Sequence, residues 1–399
     1  MRRILLLILM IVPLLAVGQK AYKPIKVALK AQNFSQAKKE ADKLKTDSLY
    51  IDDIDLYLLA IEAEKGINDA ENLKLYLKQK YDTLTFFSST YNLIENARKI
   101  DSLEQRQVLT AHKQPRYRKK MATLIAQYLP NLNAGGCYLF SRAKYTEAMP
   151  YLRTCIDLPQ TALGDYLQMA RPKVEKSRIS NAVLYLTAAF QSGRYDEVYR
   201  YKDYAMQDTL YRQKMLETLA LTADQQKDTL AFQKYLEQGL REYPDNPLFF
   251  ARLVDLHQAR AEYAQMRILA HQQLRRDSTH CIAHAAHCIA LFHEMKLDSC
   301  IEAAKLWQRH DTVSVEPLYY IGASYVGRAL LIQLPDNVSS KAYKLMKAQQ
   351  KAFMAKAEPV LEEYRKLAPA DRKRWAPLLY KVYYVLNRGK KFEEIERQL

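Results

Sequence analysis

The chain has 399 residues, of which 49% are hydrophobic and 26% are charged, a composition typical of a globular protein with two domains or one extended array. Only 10 residues are glycine and 14 are proline, and the apolar/polar alternation that marks β-strands is nearly absent. Apolar residues instead recur at helical spacing through nearly the whole chain. These features exclude a β-rich fold and predict an all-α protein.

The first predicted element, residues 1–18, is a secretory signal peptide. It has a basic start, an apolar run and small residues, Ala16 and Gly18, at the expected cleavage site. An uncleaved N-terminal anchor is the alternative, although the run is short for a membrane span and contains Pro13. Since the first cysteine is Cys137, a lipoprotein is not expected. We therefore expect an exported protein, periplasmic or surface-associated, with no transmembrane segment after cleavage.

The formal net charge of +17 bears on the partners of the chain. Inside a cell this charge would suggest nucleic acid, but an exported protein rarely meets nucleic acid, so we do not expect it as a partner. Anionic envelope polymers, lipid headgroups and acidic proteins are better counterparts. The alternative is a diffusely basic surface that faces solvent.

A period of 34 residues organises the middle of the chain. Four turn residues lie 34 positions apart, and an apolar residue follows each of them three positions later. The turn residues are Tyr195, Thr229, Tyr263 and Leu297, and the apolar residues are Val198, Phe232, Met266 and Cys300. The same pattern predicts turns before Phe34, Ile67 and Tyr145. Self-similarity at this period indicates stacked helical hairpins.

Two stretches near the C-terminus carry a family resemblance. LYYIGASY has large residues at Leu318 and Ile321, followed by Gly322 and Tyr325, and AKAEPVLEEYRKLAP ends at Pro369. They resemble the first and second helices of the tetratricopeptide repeat. The resemblance implies an α-α superhelix, a solenoid of about eight or nine hairpins that bury their apolar faces against each other.

The predicted organisation has three parts after the signal peptide. Residues 19–110 form N-terminal repeats, residues 111–130 form a basic linker with an irregular helix, and residues 131–399 form a second array. An insertion near 333–354 interrupts the second array.

The resemblance also implies a binding surface. First helices of such repeats line a concave face that usually binds a protein or peptide, so we expect a non-catalytic scaffold of the bacterial cell envelope. The sequence carries no recognisable catalytic motif; an enzyme whose site is spread over separate units is an alternative. By register, the concave-face candidates are Val183, Phe190, Phe292, Tyr319, Tyr380, Tyr384 and Arg388. Some of these aromatic residues would instead cover neighbouring helices.

The stretch 280–293 is rich in histidine and cysteine. On a helix, His284, His287 and Cys288 share one face, which suggests a metal- or haem-handling protein as the second hypothesis. The favoured interpretation is packing without a cofactor, because Cys288 and Cys300 occupy positions where paired helices of the repeat approach closely. In an oxidising compartment these two residues are also candidates for a disulfide, but spacing alone does not settle connectivity.

Eight Asp-Ser or Asp-Thr pairs recur along the chain, several times more than random order gives. Aspartate and hydroxyl residues cap helices, which explains their place at turns. An aliphatic residue or threonine follows in nearly every case, and the ordered triplet resembles the O-glycosylation acceptor of envelope proteins in one large group of Gram-negative bacteria. The candidate acceptors are Ser48, Thr83, Ser102, Thr209, Thr229, Ser278 and Thr312.

Overall fold

The computed structural model describes residues 20–111, 114–167 and 171–397. Within these ranges the chain forms nineteen α-helices and two short 3-10 turns, with no β-strand. The all-α prediction is confirmed. The predicted signal peptide lies outside the described residues.

The first of two compact units ends at Phe232. Its helices pair in sequence, and the partner of the helix Arg171–Gln191 is broken into two short pieces, Tyr195–Val198 and Lys202–Ala205. The helices are α1 (Lys23–Lys30), α2 (Phe34–Leu44), α3 (Ile54–Tyr76), α4 (Thr83–Ala111), α5 (Arg118–Ser141), α6 (Tyr145–Asp157), α7 (Arg171–Gln191), α8 (Tyr195–Val198), α9 (Lys202–Ala205) and α10 (Arg212–Gln225).

The second unit begins at Gln233, inside the helix Thr229–Glu242. First and second helices alternate along it, and from the helix Pro247–Ala259 onward each packs against the next in the chain. The helices are α11 (Thr229–Glu242), α12 (Pro247–Ala259), α13 (Tyr263–Arg276), α14 (Cys281–His293), α15 (Leu297–His310), α16 (Glu316–Leu330), α17 (Lys341–Leu367), α18 (Arg372–Leu386) and α19 (Gly389–Glu396).

The 34-residue period is visible in the backbone. A residue in the left-handed region lies two positions before each of the four periodic turn residues, with φ between 55° and 70°. These residues are Gly193, Lys227, Ala261 and Met295. The same geometry ends helices at Gln32 and Ala143, before Phe34 and Tyr145. The chain therefore forms helical hairpins that repeat at the period that the resemblance implies.

One predicted turn is wrong. Ile67 lies inside α3, which runs without interruption from Ile54 to Tyr76. The glycine before it, Gly66, does not open a turn. A Cβ atom at Gly66 would lie 2.3 Å from the ring of Phe34, so this glycine lets α2 and α3 approach each other closely.

Gly322 has the same role in the stretch that carries the family resemblance. A Cβ atom there would lie 2.5 Å from Leu361 of α17, so the glycine permits α16 and α17 to pack. Helix α17 is 27 residues long, and its Gln350 Nε2 donates to the carbonyl oxygen of Ala329 at the end of α16. Residues 341–349 therefore extend α17 beyond its partner helix.

Candidate functional site

First helices in the second unit touch one another. Helix α14 contacts α16, and α16 contacts α18, in addition to the hairpin contacts that each makes with its second helix. We call the surface formed by α14, α16 and α18 the first-helix face. Four of the predicted concave-face residues, Phe292, Tyr319, Tyr380 and Tyr384, lie on these helices.

Tyr319 is held in place by a charged neighbour. The Arg374 guanidinium lies 3.8 Å from the centroid of the Tyr319 ring and donates two hydrogen bonds to Glu316, at 2.7 and 2.9 Å. These hydrogen bonds raise the pKa of Arg374 above its usual value. Phe292 lies 6.4 Å from Tyr319, centroid to centroid. A bidentate ion pair and ring contacts therefore hold the same side chains.

The predicted residues nearer the C-terminus differ in exposure. Tyr380 packs on Phe392, with centroids 4.8 Å apart, whereas Tyr384 is 71% exposed. Arg388 is exposed and donates to Glu358, with Nη2 2.9 Å from Oε2. Tyr384 therefore offers a free aromatic surface, while Arg388 is held in an ion pair.

Two of the predicted residues lie in the first unit. Val183 is only 6% exposed and belongs to the core of that unit. Phe190 is half-buried, and its ring lies 6.0 Å from that of Tyr195 across the hairpin turn. Both side chains pack helices together.

The histidine-rich helix α14 does not gather its candidate metal ligands. His284 is buried, with Nε2 2.8 Å from the carbonyl oxygen of Ser278, and its ring stacks on His310. His287 instead faces His271 of α13, with ring centroids 6.1 Å apart. Within the described residues, no group of three or more His, Cys, Asp or Glu side chains is arranged to hold a metal ion.

Cys288 lies on the other side of α14, against Cys300 of α15. Both side chains are fully buried as free thiols, and their sulfur atoms are 3.7 Å apart. The hydrogen bond with Cys300, together with burial, raises the pKa of the Cys288 thiol. The two cysteine side chains fill the space where the two helices of one hairpin pack closely against each other.

Two grooves lie between successive second helices of the second unit. The upstream groove has α12 as its floor and α11 and α13 as its walls, and its volume is about 600 Å³. The downstream groove has α14 as its floor and α13 and α15 as its walls, and its volume is about 680 Å³. Arg275 of α13 lines both grooves. We call this surface the second-helix face.

Sequence reasoning missed the second-helix face. A signal was present, because Arg241, Arg275 and Arg309 lie 34 residues apart, at the same position of three successive second helices. Basic residues in the last turn of a helix are also favoured by the helix dipole, so this spacing alone does not indicate a site.

The candidate acceptors Ser48, Thr209, Thr229, Ser278 and Thr312 are exposed at turns or at helix starts, and Thr83 is partly exposed at the start of α4. In these six triplets the preceding aspartate accepts hydrogen bonds from backbone N–H groups two or three positions ahead. Ser102 differs, because it is exposed in the middle of α4, and its neighbour Asp101 pairs with Arg118.

No family model and no curated protein matches the chain. Among solved structures, a monomeric mutant of IFIT1 with Gppp-AAAA is 14% identical, with a TM-score of 0.36 over 84% of this chain and 73% of that one. The TPR domain of P58(IPK) is 11% identical, with a TM-score of 0.25 over 95% and 98%. Yeast Tom70 is 9% identical, with a TM-score of 0.27 over 96% and 95%.

These similarities concern the fold alone. The repeat assignment rests on the 34-residue hairpins of this chain. Over the residues that the structure describes, no helix is both long and apolar enough to cross a membrane.

Proposed function

We propose that the protein is an exported, non-catalytic scaffold of the bacterial cell envelope that binds a protein partner through the first-helix face. The observation that carries the proposal is Tyr384, which is 71% exposed on α18 next to the half-buried Tyr380 and Phe392. A tyrosine supplies a large contact area and a hydroxyl group at a low entropic cost, and exposed aromatic residues are common anchors of interfaces.

A photo-crosslinking amino acid at Tyr384, introduced into the full chain in its source organism, tests this proposal. We expect a discrete protein adduct that the same substitution at Tyr76, an exposed tyrosine of α3, does not give. Tyr384→Ala should then weaken capture of the identified partner by purified protein. Identical adducts from both positions, or unchanged capture by Tyr384→Ala, would contradict a binding role for this face.

Export is part of the same proposal and is supported by the sequence of residues 1–18. N-terminal sequencing of the protein from its source organism should find a start near Gln19. An intact N-terminus would favour the anchored alternative. The net charge of +17 supports an anionic envelope polymer as an additional partner.

Modification of the Asp-Ser/Thr triplets has a separate support. The aliphatic residue after the hydroxyl is exposed in five triplets, by 46% at Leu84 and by up to 90% at Val313, with Leu49, Leu210 and Leu230 between them. Capping a helix does not require that the aliphatic residue be exposed to solvent, whereas recognition of the triplet by a glycosylating enzyme does. An intact mass equal to that of unmodified residues 19–399 would reject the modification.

A further inference from the structure

The two grooves of the second-helix face are copies of one site. Seven lining positions of the downstream groove lie 34 residues after seven lining positions of the upstream groove. The pairs are Glu237 and His271, Leu240 and Leu274, Arg241 and Arg275, Leu253 and His287, His257 and Leu291, Leu269 and Ala303, and Gln272 and Leu306. Two of these pairs keep their residue type, an arginine on the rim (Arg241 and Arg275) and a leucine on the wall (Leu240 and Leu274).

The downstream groove departs from this pattern in a specific way. The buried Leu253 becomes His287, and Glu237 becomes His271, so that two imidazole rings face each other 6.1 Å apart. The buried Nδ1 of His287 has no hydrogen-bond partner in the described part of the chain. Internal packing therefore does not explain the change from leucine to histidine, because a buried ring nitrogen without a hydrogen bond is less favourable than the side chain of leucine at that position.

The cations of the two grooves are available to a ligand. Among the described residues, no carboxylate lies within ion-pair distance of Arg241, Arg275 or Arg276. The carboxylates that line the grooves each have a partner: in the upstream groove, Glu237 accepts a hydrogen bond from Gln233 Nε2 at 2.8 Å. In the downstream groove, Asp298 pairs with Arg328 at 3.0 Å, and Glu302 pairs with Lys305 at 2.8 Å.

We propose that the second-helix face binds an extended acidic segment of a partner protein, with one carboxylate between Arg275 and the His271–His287 pair. Further carboxylates of the segment pair with Arg241 and Arg276 in the upstream groove, and its aliphatic side chains lie on the leucines of both grooves. This inference rests on the proposed scaffold function and adds a second docking surface to it.

The occupant is a peptide because of the chemistry of the grooves. Each groove combines arginine with two accessible leucines on its walls, Leu240 and Leu269 upstream and Leu274 and Leu306 downstream. A polyanionic glycan supplies negative charge but no aliphatic groups for these leucines. A peptide that alternates acidic and aliphatic residues supplies both, and an extended chain spans repeated sites on consecutive hairpins.

Binding should depend on pH. Burial, followed by the nearby cationic groups, lowers the pKa of His287 below its usual value of 6.5, so the ring is neutral near neutral pH. A bound carboxylate favours the imidazolium, and binding then takes up a proton and strengthens as the pH falls below neutral. The charged and titratable groups around the ring are Arg267, His271 and Arg275 on α13, His284 on α14, Glu294 after α14, and Asp298 and Glu302 on α15.

Fluorescence anisotropy on the full chain tests the inference. The probe is a fluorescein-labelled decapeptide of alternating Glu and Leu, and the matched peptides carry Gln or Lys in place of each Glu. Arg275→Gln should weaken binding of the Glu peptide about tenfold, since a charge-assisted hydrogen bond is lost. His287→Leu restores the residue of the upstream groove, so it keeps the fold and should abolish the strengthening at lower pH.

Arg309→Gln is the matched control, because Arg309 has the same repeat position but lines neither groove. Equal binding of the Glu and Gln peptides, or equal losses in Arg275→Gln and Arg309→Gln, would overturn the inference. A titration with Zn²⁺ alone is a further test. Binding of Zn²⁺ that requires His271 and His287, together with no binding of the peptide, would mean that the groove is a metal site and would overturn the inference.

Crosslinking in the source organism separates this inference from the proposed function. A photo-crosslinker at Leu306, on the wall of the downstream groove, should capture a protein through an acidic segment that mass spectrometry identifies. Adducts from Tyr384 without adducts from Leu306 would overturn the second docking surface and leave the scaffold function standing. Adducts from neither position would overturn both.

Discussion

Two consecutive hairpins of the second unit have the same backbone geometry at their turns but carry different side chains. The upstream hairpin consists of α12 and α13, and the downstream hairpin consists of α14 and α15. Both turn through a left-handed residue, Ala261 with φ of 55° and Met295 with φ of 58°. The repeat therefore specifies where helices start and stop, and the side chains on it are free to diverge.

The cores of the two hairpins show the same divergence. Val254 and Met266 lie in the core of the upstream hairpin, at the positions that Cys288 and Cys300 occupy in the downstream one. The downstream hairpin also has Trp307 where the upstream one has Gln273. Exchanging residues between equivalent positions is therefore a way to learn which differences matter.

The largest effect is expected from Trp307→Gln, which installs the upstream residue. Trp307 is buried in a cluster with Ile301 and Tyr320, so its loss should lower the free energy of unfolding by about 3 kcal/mol. Denaturant titration measures this change. Gln273→Ala is the control at the equivalent position and should cost much less. A loss below about 1 kcal/mol for Trp307→Gln would show that the cluster tolerates the upstream residue.

The cysteine pair should respond to oxidation. A disulfide between Cys288 and Cys300 would close a short loop and raise the free energy of unfolding by about 2–3 kcal/mol. Thermal unfolding with and without reductant should show this difference. The double variant Cys288→Val/Cys300→Met, which copies the upstream hairpin, should unfold identically in both conditions. Identical curves for the wild-type chain would mean that the thiols remain free.

A smaller effect on stability is expected from His287→Leu. The change removes the buried Nδ1, which has no hydrogen-bond partner among the described residues, and should raise the free energy of unfolding by about 1 kcal/mol at neutral pH. The pKa of His287 is lower in the folded chain than its usual value of 6.5, so protonation favours the unfolded chain. Wild-type stability is therefore lost as the pH falls from 6.5 through the folded pKa, and His287→Leu removes this contribution. Melting temperatures at neutral and acidic pH measure the difference; equal acid sensitivity of both proteins would refute it.

The smallest effect concerns the turns themselves. Met295 adopts a left-handed conformation that glycine tolerates better, so Met295→Gly should raise the free energy of unfolding by about 0.5–1 kcal/mol. The reverse change at the equivalent turn, Gly193→Ala, should lower it by a similar amount. Denaturant midpoints of the two variants should therefore move in opposite directions, and a shift in the same direction would argue against backbone strain.

Much of the fold follows from local sequence. The 34-residue spacing of Tyr195, Thr229, Tyr263 and Leu297 predicted the hairpin turns, although three of the four left-handed residues before them are not glycine. The prediction failed at Ile67, because Gly66 serves contact with Phe34, and a contact between distant residues leaves no local signal.

The candidate site was predictable only in part. Tyr384 was assigned to a surface from its position in the repeat. Tyr380, one helical turn earlier, received the same assignment, but it packs on Phe392. His287 and Cys288 are adjacent in sequence and suggested one metal site. In the folded chain His287 faces α13 and Cys288 faces α15, because adjacent residues of a helix point about 100° apart.

Helix periodicity, turn chemistry and the repeat length are properties of neighbouring residues, and they were enough to establish an all-helical array of hairpins. The grooves of the second-helix face are assembled from three helices each, with contributions from Glu237 to Leu306. The packing of those helices decides which side chains line the grooves and which of the carboxylates are paired. It also decides that the buried Nδ1 of His287 has no hydrogen-bond partner among the described residues. Each of these features is a relation between residues far apart in the chain, so local sequence does not determine it.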